Sequence, residues 1–373
     1  MTANISFTGD ILPSERINSI AKGDYLFCFS KDVKPKNCDY LVGNLETPIA
    51  GESLRYTHER YCFNTPEGLL DALKESGFDL LALANNHCMD RGEEGIVNTL
   101  DNCERYGFDT VGIYKSEEDR NKPFIKEING IRIAFINYTY GTNAFAHHRF
   151  LEHPYMVNLL QPEETKSGSI HLLNGYKEIA DDLNRIYFDK SKEYEYAKSY
   201  LAQLKNDIKS AKREADYVIA IIHNGGQYVE DVDPYSIFIA EKIKEFGADI
   251  IVGHHQHIIQ KSDITDDYTK IFCLGNLFYD NRIDSDDCYF DKPLYNAVFH
   301  LSLTKNEQGK IEATQSFSIY TTMTDKRGLP VVINSADVYK IKPESHLKSD
   351  ILHYANLFAG KEKYYEVKDR YEI

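Results

Sequence analysis

The sequence lacks the features that mark a membrane protein or a disulfide-stabilised protein. No apolar run in its 373 residues approaches the ~18 residues of a membrane-spanning helix. The N-terminus, MTANISFTGDILP, has neither the basic start nor the long apolar segment of a secretion signal. Its seven cysteines are odd in number and form no CxxC pair, which fits a reducing compartment. We therefore expect a cytoplasmic protein with no membrane partner.

Positive charge is also scarce. Lys and Arg number 43 against 58 Asp and Glu, so the formal net charge is -15. Because binding a phosphate backbone needs clustered Lys and Arg, this balance argues against a nucleic-acid duplex as partner. A small phosphate- or carboxylate-bearing substrate is compatible with it, since a metal ion can supply local positive charge. The sequence does not indicate an oligomeric state.

Helical and apolar segments alternate along the chain. Three times a helix-like segment ends at glycine, and an aspartate and an apolar strand follow, in 66–83, 93–113 and 236–252. Gly77, Gly107 and Gly247 stand where a helix C-terminal cap needs a positive φ. Further strands are predicted at 4–8, 40–42, 131–138, 217–222 and 270–274. The alternation predicts an α/β protein with a largely parallel sheet.

The C-terminal third adds antiparallel strands. NAVFHLSL and ATQSFSIYTT predict a hairpin, and GLPVVI predicts one more strand, so the sheets are mixed. Residues 141–215 are rich in Tyr, Lys and Glu, with helical spacing from about 176 to 214. We interpret them as a helical insertion, either a lid or a solvated cover. We predict one domain over 1–335 and a partly helical C-terminal extension over 336–373.

Six predicted strands are followed by polar residues that can bind a metal ion or a substrate. They are Asp10, Glu46, Asn85 with Asn86 and His87, His223, the group His254, His255 and His257, and Asn276. Ligands bind where the carboxyl ends of strands leave a crevice. Carboxylates, imidazoles and an amide form an O/N donor set that suits Mn, Fe, Zn or Ni better than Ca or Mg. Two such ions about 3.5–4 Å apart can generate a hydroxide and hold a phosphoryl oxygen.

Each of these residues also has a structural alternative. Asp10 beside Gly9 can form a turn, Asn85 can cap the segment after it, and His87 can be a core histidine. In VGHHQHIIQ, residues two apart in an extended strand share a face, so we expect His255 and His257 to converge and His254 to face away.

A second group consists of candidates for substrate contact: Arg55, Arg60, Asn85, His254 and Asn276. Arg55 and Arg60 lie in GESLRYTHERYCF, where a guanidinium can grip a phosphate or carboxylate with two hydrogen bonds. A solvated loop with ordinary charges is the alternative for both.

The motifs taken together resemble a known family. FTGDI, GNLETPI, FNTPEGLLDALKESGFDLLALANNHCMDRGEEGI, HNGGQY, VGHHQHIIQ and LGNLFYD follow, from residue 4 to about 282, the order seen in the bacterial capsule-synthesis CapA family. This poly-γ-glutamate biosynthesis group belongs to the calcineurin-like metallophosphoesterase superfamily. The resemblance implies a four-layer αββα sandwich of two mixed sheets and two divalent metal ions, Mn, Fe or Zn.

The resemblance also implies roles for individual residues. The implied metal ligands are Asp10 for the first metal, Glu46 as the bridge, Asn86 and His223 for the second metal, and His255 and His257 for one metal each. His87 would not be a ligand but an acid or electrostatic stabiliser near the leaving group. We therefore expect a metal-dependent hydrolase in which a metal-bound hydroxide cleaves a phosphoester or phosphodiester.

The chain departs from the superfamily pattern in two motifs. Leu12 stands where many members have a first-metal His, and Asn224 and Gln227 replace the Trp and Glu of a common His-Trp-Gly-x-Glu-Tyr block. Two alternative functions therefore remain. One is hydrolysis of a γ-glutamyl or amide bond related to a capsule polymer. The other is a non-catalytic accessory subunit of a synthetase.

Overall fold

The structure is a computed structural model that describes residues 1–29, 33–59, 61–163, 190–265, 268–280 and 294–373. The strands are β1 (Thr2–Leu12), β2 (Tyr40–Leu45), β3 (Leu80–Ala82), β4 (Asp109–Val111), β5 (Phe124–Ile128), β6 (Ile131–Thr139), β7 (Tyr217–His223), β8 (Ile250–His254), β9 (Asp263–Ile264), β10 (Thr269–Ile271), β11 (Asn276–Tyr279), β12 (Tyr295–Lys305), β13 (Ile311–Thr324), β14 (Pro330–Asn334) and β15 (Tyr371–Glu372). The helices are α1 (Glu15–Ala21), α2 (Gly68–Glu75), α3 (Gly92–Arg105), α4 (Glu117–Arg120), α5 (Ala144–His147), α6 (Lys190–Glu214), α7 (Pro234–Phe246), α8 (Ser335–Ile341) and α9 (Ser345–Ala359).

Two mixed sheets form the centre of the molecule. Within the described ranges, the larger sheet has the order β14-β13-β12-β1-β2-β3-β4, with β11 also paired to β1 and β15 to β13. The smaller sheet has the order β5-β6-β7-β8-β10-β9. Strands β1 to β4 run parallel, as do β6, β7, β8 and β10, whereas the predicted C-terminal hairpin β12–β13 is antiparallel.

The inner faces of the two sheets pack against each other. Ile5 and Val42 of the larger sheet share one buried core with Ile133, Ile219 and Val252 of the smaller sheet. The outer face of the larger sheet is covered by α1, α2 and α3, and that of the smaller sheet by α6 and α7. The chain is therefore an αββα sandwich, and the predicted fold class is confirmed.

The predicted insertion at 141–215 contains a helix that packs on the smaller sheet. Helix α6, its described helical part, packs Leu204 and Ile208 against Val218 and Ala220 of the smaller sheet. Strands β6 and β7 are parallel neighbours, so the chain must cross over between them, and α6 lies on this crossover. Helix α6 is therefore a layer of the sandwich, and the role of the rest of the segment stays a prediction. No helix in the described parts of the chain combines the length and apolar character needed to cross a membrane.

The C-terminal segment 336–373 also belongs to the packed structure. Helix α9 packs on β12 and β13 of the larger sheet, with Ile351 and Phe358 in the same core as the two sheets. Phe358 packs on Phe317 of β13 with ring centroids 4.6 Å apart. The segment is partly helical, and its helix α9 packs into the core of the sandwich. A domain boundary at residue 335 stays a prediction.

The predicted strand at 270–274 ends earlier in the structure, because β10 stops at Ile271 in the smaller sheet. The chain then crosses to the larger sheet, where β11 runs parallel to β1. Gly275 takes a φ of 80° at this crossing. Asn276 consequently begins a strand, whereas the sequence predicted that it follows one.

We predict that Phe358→Ala lowers the free energy of unfolding by about 3 to 5 kcal/mol, because it leaves a cavity in the core. Denaturant titration followed by circular dichroism measures the loss. Tyr365→Ala is the matched control: this side chain is 72% exposed, so its removal should change the free energy by less than ~0.5 kcal/mol. A loss below ~1 kcal/mol for Phe358→Ala would mean that α9 is a dispensable appendage.

Candidate metal centre

The polar residues predicted at the strand ends lie together where the two sheets meet. The larger sheet contributes Asp10 in β1, Glu46 just after β2 and Asn86 after β3. The smaller sheet contributes His223, the last residue of β7, and the turn after β8 that carries His255 and His257. All of these side chains are buried: Asp10, Glu46, Asn86, His223, His255 and His257. The carboxyl ends of parallel strands in both sheets thus face one site.

Asp10 is held by the strands on both sides of it. Its Cα is in register with Asn44 of β2 and with Asn276 of β11. Asn44 Nδ2 donates to Asp10 Oδ1 over 2.7 Å. Gly9 allows this close approach, since a Cβ there would lie 2.0 Å from the Gly275 carbonyl oxygen.

The carboxylate of Asp10 also contacts the histidine cluster. His254 Nδ1 lies 2.9 Å from Oδ1, and the backbone N–H of His255 donates to Oδ2 over 3.1 Å. Burial alone would raise the pKa of Asp10, but hydrogen bonds from His254 and His257 hold it well below its usual range. Asp10 is therefore a charged carboxylate inside the protein.

The orientation predicted for His254 is wrong. The extended segment ends at His254, and the next residues turn, with φ of 105° at His255 and 61° at His257. Such angles are uncommon for residues with a Cβ and cluster at functional sites. Because of this turn, all three histidines reach the site, and His254 binds Asp10 rather than facing away.

Glu46 is the centre of the arrangement. It is 0% exposed, and neither carboxylate oxygen has a hydrogen-bond partner within the described residues. Burial, and then the charge of Asp10, raise the pKa of Glu46 to about 8. A buried carboxylate without donors is costly unless a cation compensates it.

Two sets of donor atoms converge on Glu46. In the first set, His257 Nδ1 lies 3.5 Å from Asp10 Oδ2, and His257 Nε2 lies 3.9 Å from Glu46 Oε1. Asn276 Oδ1 lies 2.8 Å from His257 Nδ1, and Gln227 Nε2 lies 3.3 Å from His257 Nε2. Asp10, Glu46 and His257 can therefore hold one ion between them.

The second set surrounds His223. Its Nε2 lies 2.7 Å from Asn86 Oδ1, 3.1 Å from His255 Nδ1 and 3.3 Å from Glu46 Oε1. Burial holds the pKa of His223 and of His255 well below the usual value, so both imidazoles are neutral, the form that binds a metal. Glu46, Asn86, His223 and His255 thus form a second group that can hold an ion.

The chemistry of this site fits divalent metal ions. Glu46 belongs to both sets, so a single carboxylate stands between two candidate ions, as in two-metal sites. The His255 Nε2 atom is also buried without a partner among the residues described. The donors are imidazole, carboxylate and amide groups, which suit Mn, Fe or Zn.

His87 lies beside the donor sets and not within them. Its Nδ1 is 2.8 Å from Asp90 Oδ2, and its ring contacts Phe63 edge-on at 4.6 Å between centroids. Asn143 Nδ2 lies 3.5 Å from His87 Nδ1 and Asn143 Oδ1 accepts from Asn86 over 3.4 Å.

The structure shows what the residues predicted to contact substrate bind instead, where it describes them. Asn85 is fully buried, donates to the Leu45 carbonyl over 2.8 Å and accepts from the His87 backbone, so it shapes the loop. Asn276 is also buried and holds His257. The side chain of Arg55 is exposed, although its carbonyl oxygen accepts from Arg91 near the site. Arg60 lies outside the described residues.

Two residues of the site were missed in the sequence. Asn44 lies within the quoted motif GNLETP, and its spacing two residues before Glu46 was a usable signal because it places both at the end of β2. Asn143 lies in the segment 141–215, which carried no motif. Its contact with His87 joins residues 56 positions apart and depends on the tertiary structure.

Comparisons with known proteins assign the chain to a family. A family described as "Bacterial capsule synthesis protein PGA_cap" matches residues 4–281. The chain is similar to the "Capsule biosynthesis protein CapA" of Bacillus anthracis, with 26% identity over 284 residues, 74% of this chain and 59% of that protein. It is also similar to the "PGA biosynthesis protein CapA" of Bacillus subtilis, with 24% identity over 315 residues, 83% of this chain and 70% of that protein. The match therefore spans less than two thirds of the Bacillus anthracis relative.

We predict that divalent ions stabilise the folded protein. In chelator-treated protein, Mn²⁺ or Zn²⁺ at about 100 times its Kd should add about 2.7 kcal/mol to the free energy of unfolding for each ion bound. His223→Ala should remove at least the contribution of the second ion, because Nε2 lies among the donors of the second set. His153→Ala is the control, since its imidazole is exposed and contacts Glu93. Wild-type melting curves unchanged by Mn²⁺, Fe²⁺ and Zn²⁺ would exclude the centre.

We also predict that metal affinity rises with pH. Burial would lower the pKa of His257, but Glu46 and Asp10 raise it to about 9, and the pKa of Glu46 is raised to about 8. At neutral pH the metal-free pair therefore retains protons that an ion must displace. Between about pH 6 and pH 8, affinity should rise about tenfold per unit for each proton released. Calorimetry in buffers of different ionisation enthalpy counts the protons, and a pH-independent affinity would contradict the assignment.

Proposed function

Since this chain belongs to the bacterial capsule synthesis protein family PGA_cap, we propose that it is a metal-dependent hydrolase of phosphoesters or phosphodiesters. The observation that carries the proposal is Glu46, a fully buried carboxylate whose oxygens lack partners in the described structure and lie between two sets of metal-type donors. A scaffold without metal gains nothing from such a carboxylate, whereas a two-metal centre requires one.

In this proposal the chain's own residues hold the ions and the substrate. The first ion would be held by Asp10, Glu46 and His257, and the second by Glu46, Asn86, His223 and His255. When bound, the ions activate water at neutral pH and stabilise charge on a phosphoryl oxygen. His254 and Asn44 fix the carboxylate of Asp10, and Asn276 fixes the ring of His257. The donors are thereby oriented before any substrate binds.

His87 is the proposed proton donor to the leaving oxygen. His87 Nδ1 lies 2.8 Å from Asp90 Oδ2 and is occupied by that contact. His87 Nε2 is therefore the atom that donates the proton to the substrate in this scheme. Phe63 packs against the edge of the ring and limits its rotation. Asp90 is a positioning residue in this scheme, because it acts through the imidazole.

A second candidate function is cleavage of a γ-glutamyl or amide bond. It is favoured by the names of the relatives, which concern capsule and PGA biosynthesis rather than phosphoesters. The same centre can stabilise the oxyanion formed when water attacks a carbonyl. Incubating the metal-loaded protein with an aryl phosphodiester and, separately, with poly-γ-glutamate distinguishes the two by their products.

We predict different defects for two classes of variant. Asp10→Ala and His223→Ala should abolish both metal retention and hydrolysis of an aryl phosphodiester, because they remove donors. His87→Ala should retain the metal and lower kcat about 10²- to 10⁴-fold, the usual contribution of a general acid. Metal analysis alongside steady-state kinetics separates the classes, with His153→Ala as the histidine control.

Two results would overturn the proposal. One is a wild-type protein that carries two ions per chain yet hydrolyses no phosphomonoester or phosphodiester in a broad screen. The other is phosphodiester hydrolysis that survives in Asp10→Ala, since that activity would come from a contaminant or another site.

A further inference from the structure

A second cluster of metal-type side chains lies beside His87 and outside the donor sets already described. It consists of Cys62 in the loop before Phe63, Asp90 before α3 and His147 at the end of α5, and is called the thiol cluster below. One donor atom of each lies within 4.8 Å of the others. Cys62 and Asp90 are buried, and the His147 side chain is 12% exposed.

Two donor atoms of this cluster lack hydrogen-bond partners. Asp90 Oδ1 and His147 Nε2 are both buried and unpaired among the described residues, although they lie only 3.4 Å apart. The other Asp90 oxygen, Oδ2, accepts from the Phe63 backbone N–H over 2.6 Å and contacts His87. Asp90 is 0% exposed, so its Oδ1 is buried without a hydrogen-bond partner in the part of the chain that the structure describes. Unpaired buried polar atoms indicate a missing ion or water.

We propose that the thiol cluster is a third metal site, which binds Zn²⁺ or a similar ion through Cys62 Sγ, Asp90 Oδ1 and His147 Nε2. Thiolate, imidazole and carboxylate are the donors of zinc sites. Zn–N and Zn–S bonds of about 2.0 to 2.3 Å place tetrahedral ligands roughly 3.3 to 3.7 Å apart. The 3.4 Å separation of Asp90 and His147 already matches this spacing, and the sulfur needs to move by at most ~1.5 Å.

The charges near Cys62 are compatible with a thiolate ligand. Arg91 Nη1 donates to Cys62 Sγ over 2.9 Å, and the half-buried Arg149 lies 3.5 Å from the sulfur. Such donors stabilise a thiolate and leave its other lone pairs for a metal. Burial raises the pKa of the Cys62 thiol, so binding releases the thiol proton to solvent as the metal–sulfur bond forms.

This site is chemically distinct from the centre at Glu46 and connected to it. The donor sets at Glu46 consist of oxygen and nitrogen atoms, whereas the thiol cluster adds sulfur. Asp90 links the two, because its Oδ1 faces the proposed ion while its Oδ2 holds His87. An ion here therefore fixes the carboxylate that positions His87. Binding at the thiol cluster does not depend on the proposed hydrolase activity.

Titration with Co²⁺ tests the proposal on the full-length metal-free protein. Co²⁺ substitutes for Zn²⁺, and a thiolate ligand adds an intense sulfur-to-cobalt charge-transfer absorption in the near ultraviolet. Wild type should develop this absorption, and Cys62→Ser should lose it together with one equivalent of bound metal. Cys38→Ser is the matched control, because Cys38 is a half-buried thiol outside the cluster, and it should behave as wild type.

A second variant tests the proposal independently, in case Cys62→Ser misfolds. His147→Ala retains the thiol but loses the imidazole, so the Co²⁺ concentration at half-saturation of the absorption should rise at least ~10-fold. Circular dichroism confirms that both variants are folded. The proposal is overturned if wild type shows no charge-transfer absorption, if the absorption survives in Cys62→Ser, or if His147→Ala leaves the half-saturation point unchanged.

Discussion

The site depends on one carboxylate, Glu46, that is buried where the two sheets meet and has no hydrogen-bond donor among the described residues. Glu46 follows β2 at the point where the carboxyl ends of both sheets meet, and it is 0% exposed. The imidazoles of His223 and His255 beside it are neutral because burial lowers their pKa values. A metal ion can take the place of the protons that Glu46 and His257 hold at neutral pH, and the surrounding side chains are arranged as its ligands.

The fold and the main site residues were predictable because both follow from strand periodicity. Apolar runs after helix-capping glycines indicated parallel strands, and parallel strands direct their carboxyl ends to one edge. Asp10, Glu46 and His223 each lie at such an end, so their convergence followed from the sequence pattern. The resemblance to the capsule-synthesis family added the sandwich of two sheets, which no single motif indicates.

Other features depend on tertiary structure that the pattern does not encode. His254 reaches Asp10 only because His255 and His257 adopt positive φ, which periodicity cannot anticipate. Asn276 begins β11 because the chain crosses from one sheet to the other at Gly275. Helix α6 resembled a solvated insertion because its exposed face is rich in Lys and Glu, yet its apolar face covers the smaller sheet. The thiol cluster joins three separate segments and had no motif.

The most direct test of the central claim is the anomalous scattering of crystals grown with Mn²⁺. The account predicts two anomalous peaks about 3.5 to 4 Å apart, each within bonding distance of a Glu46 carboxylate oxygen. One peak should lie against Asp10 and His257, and the other against Asn86, His223 and His255. Density in which Glu46 turns away to bind protein groups, with no peak beside it, would contradict the account.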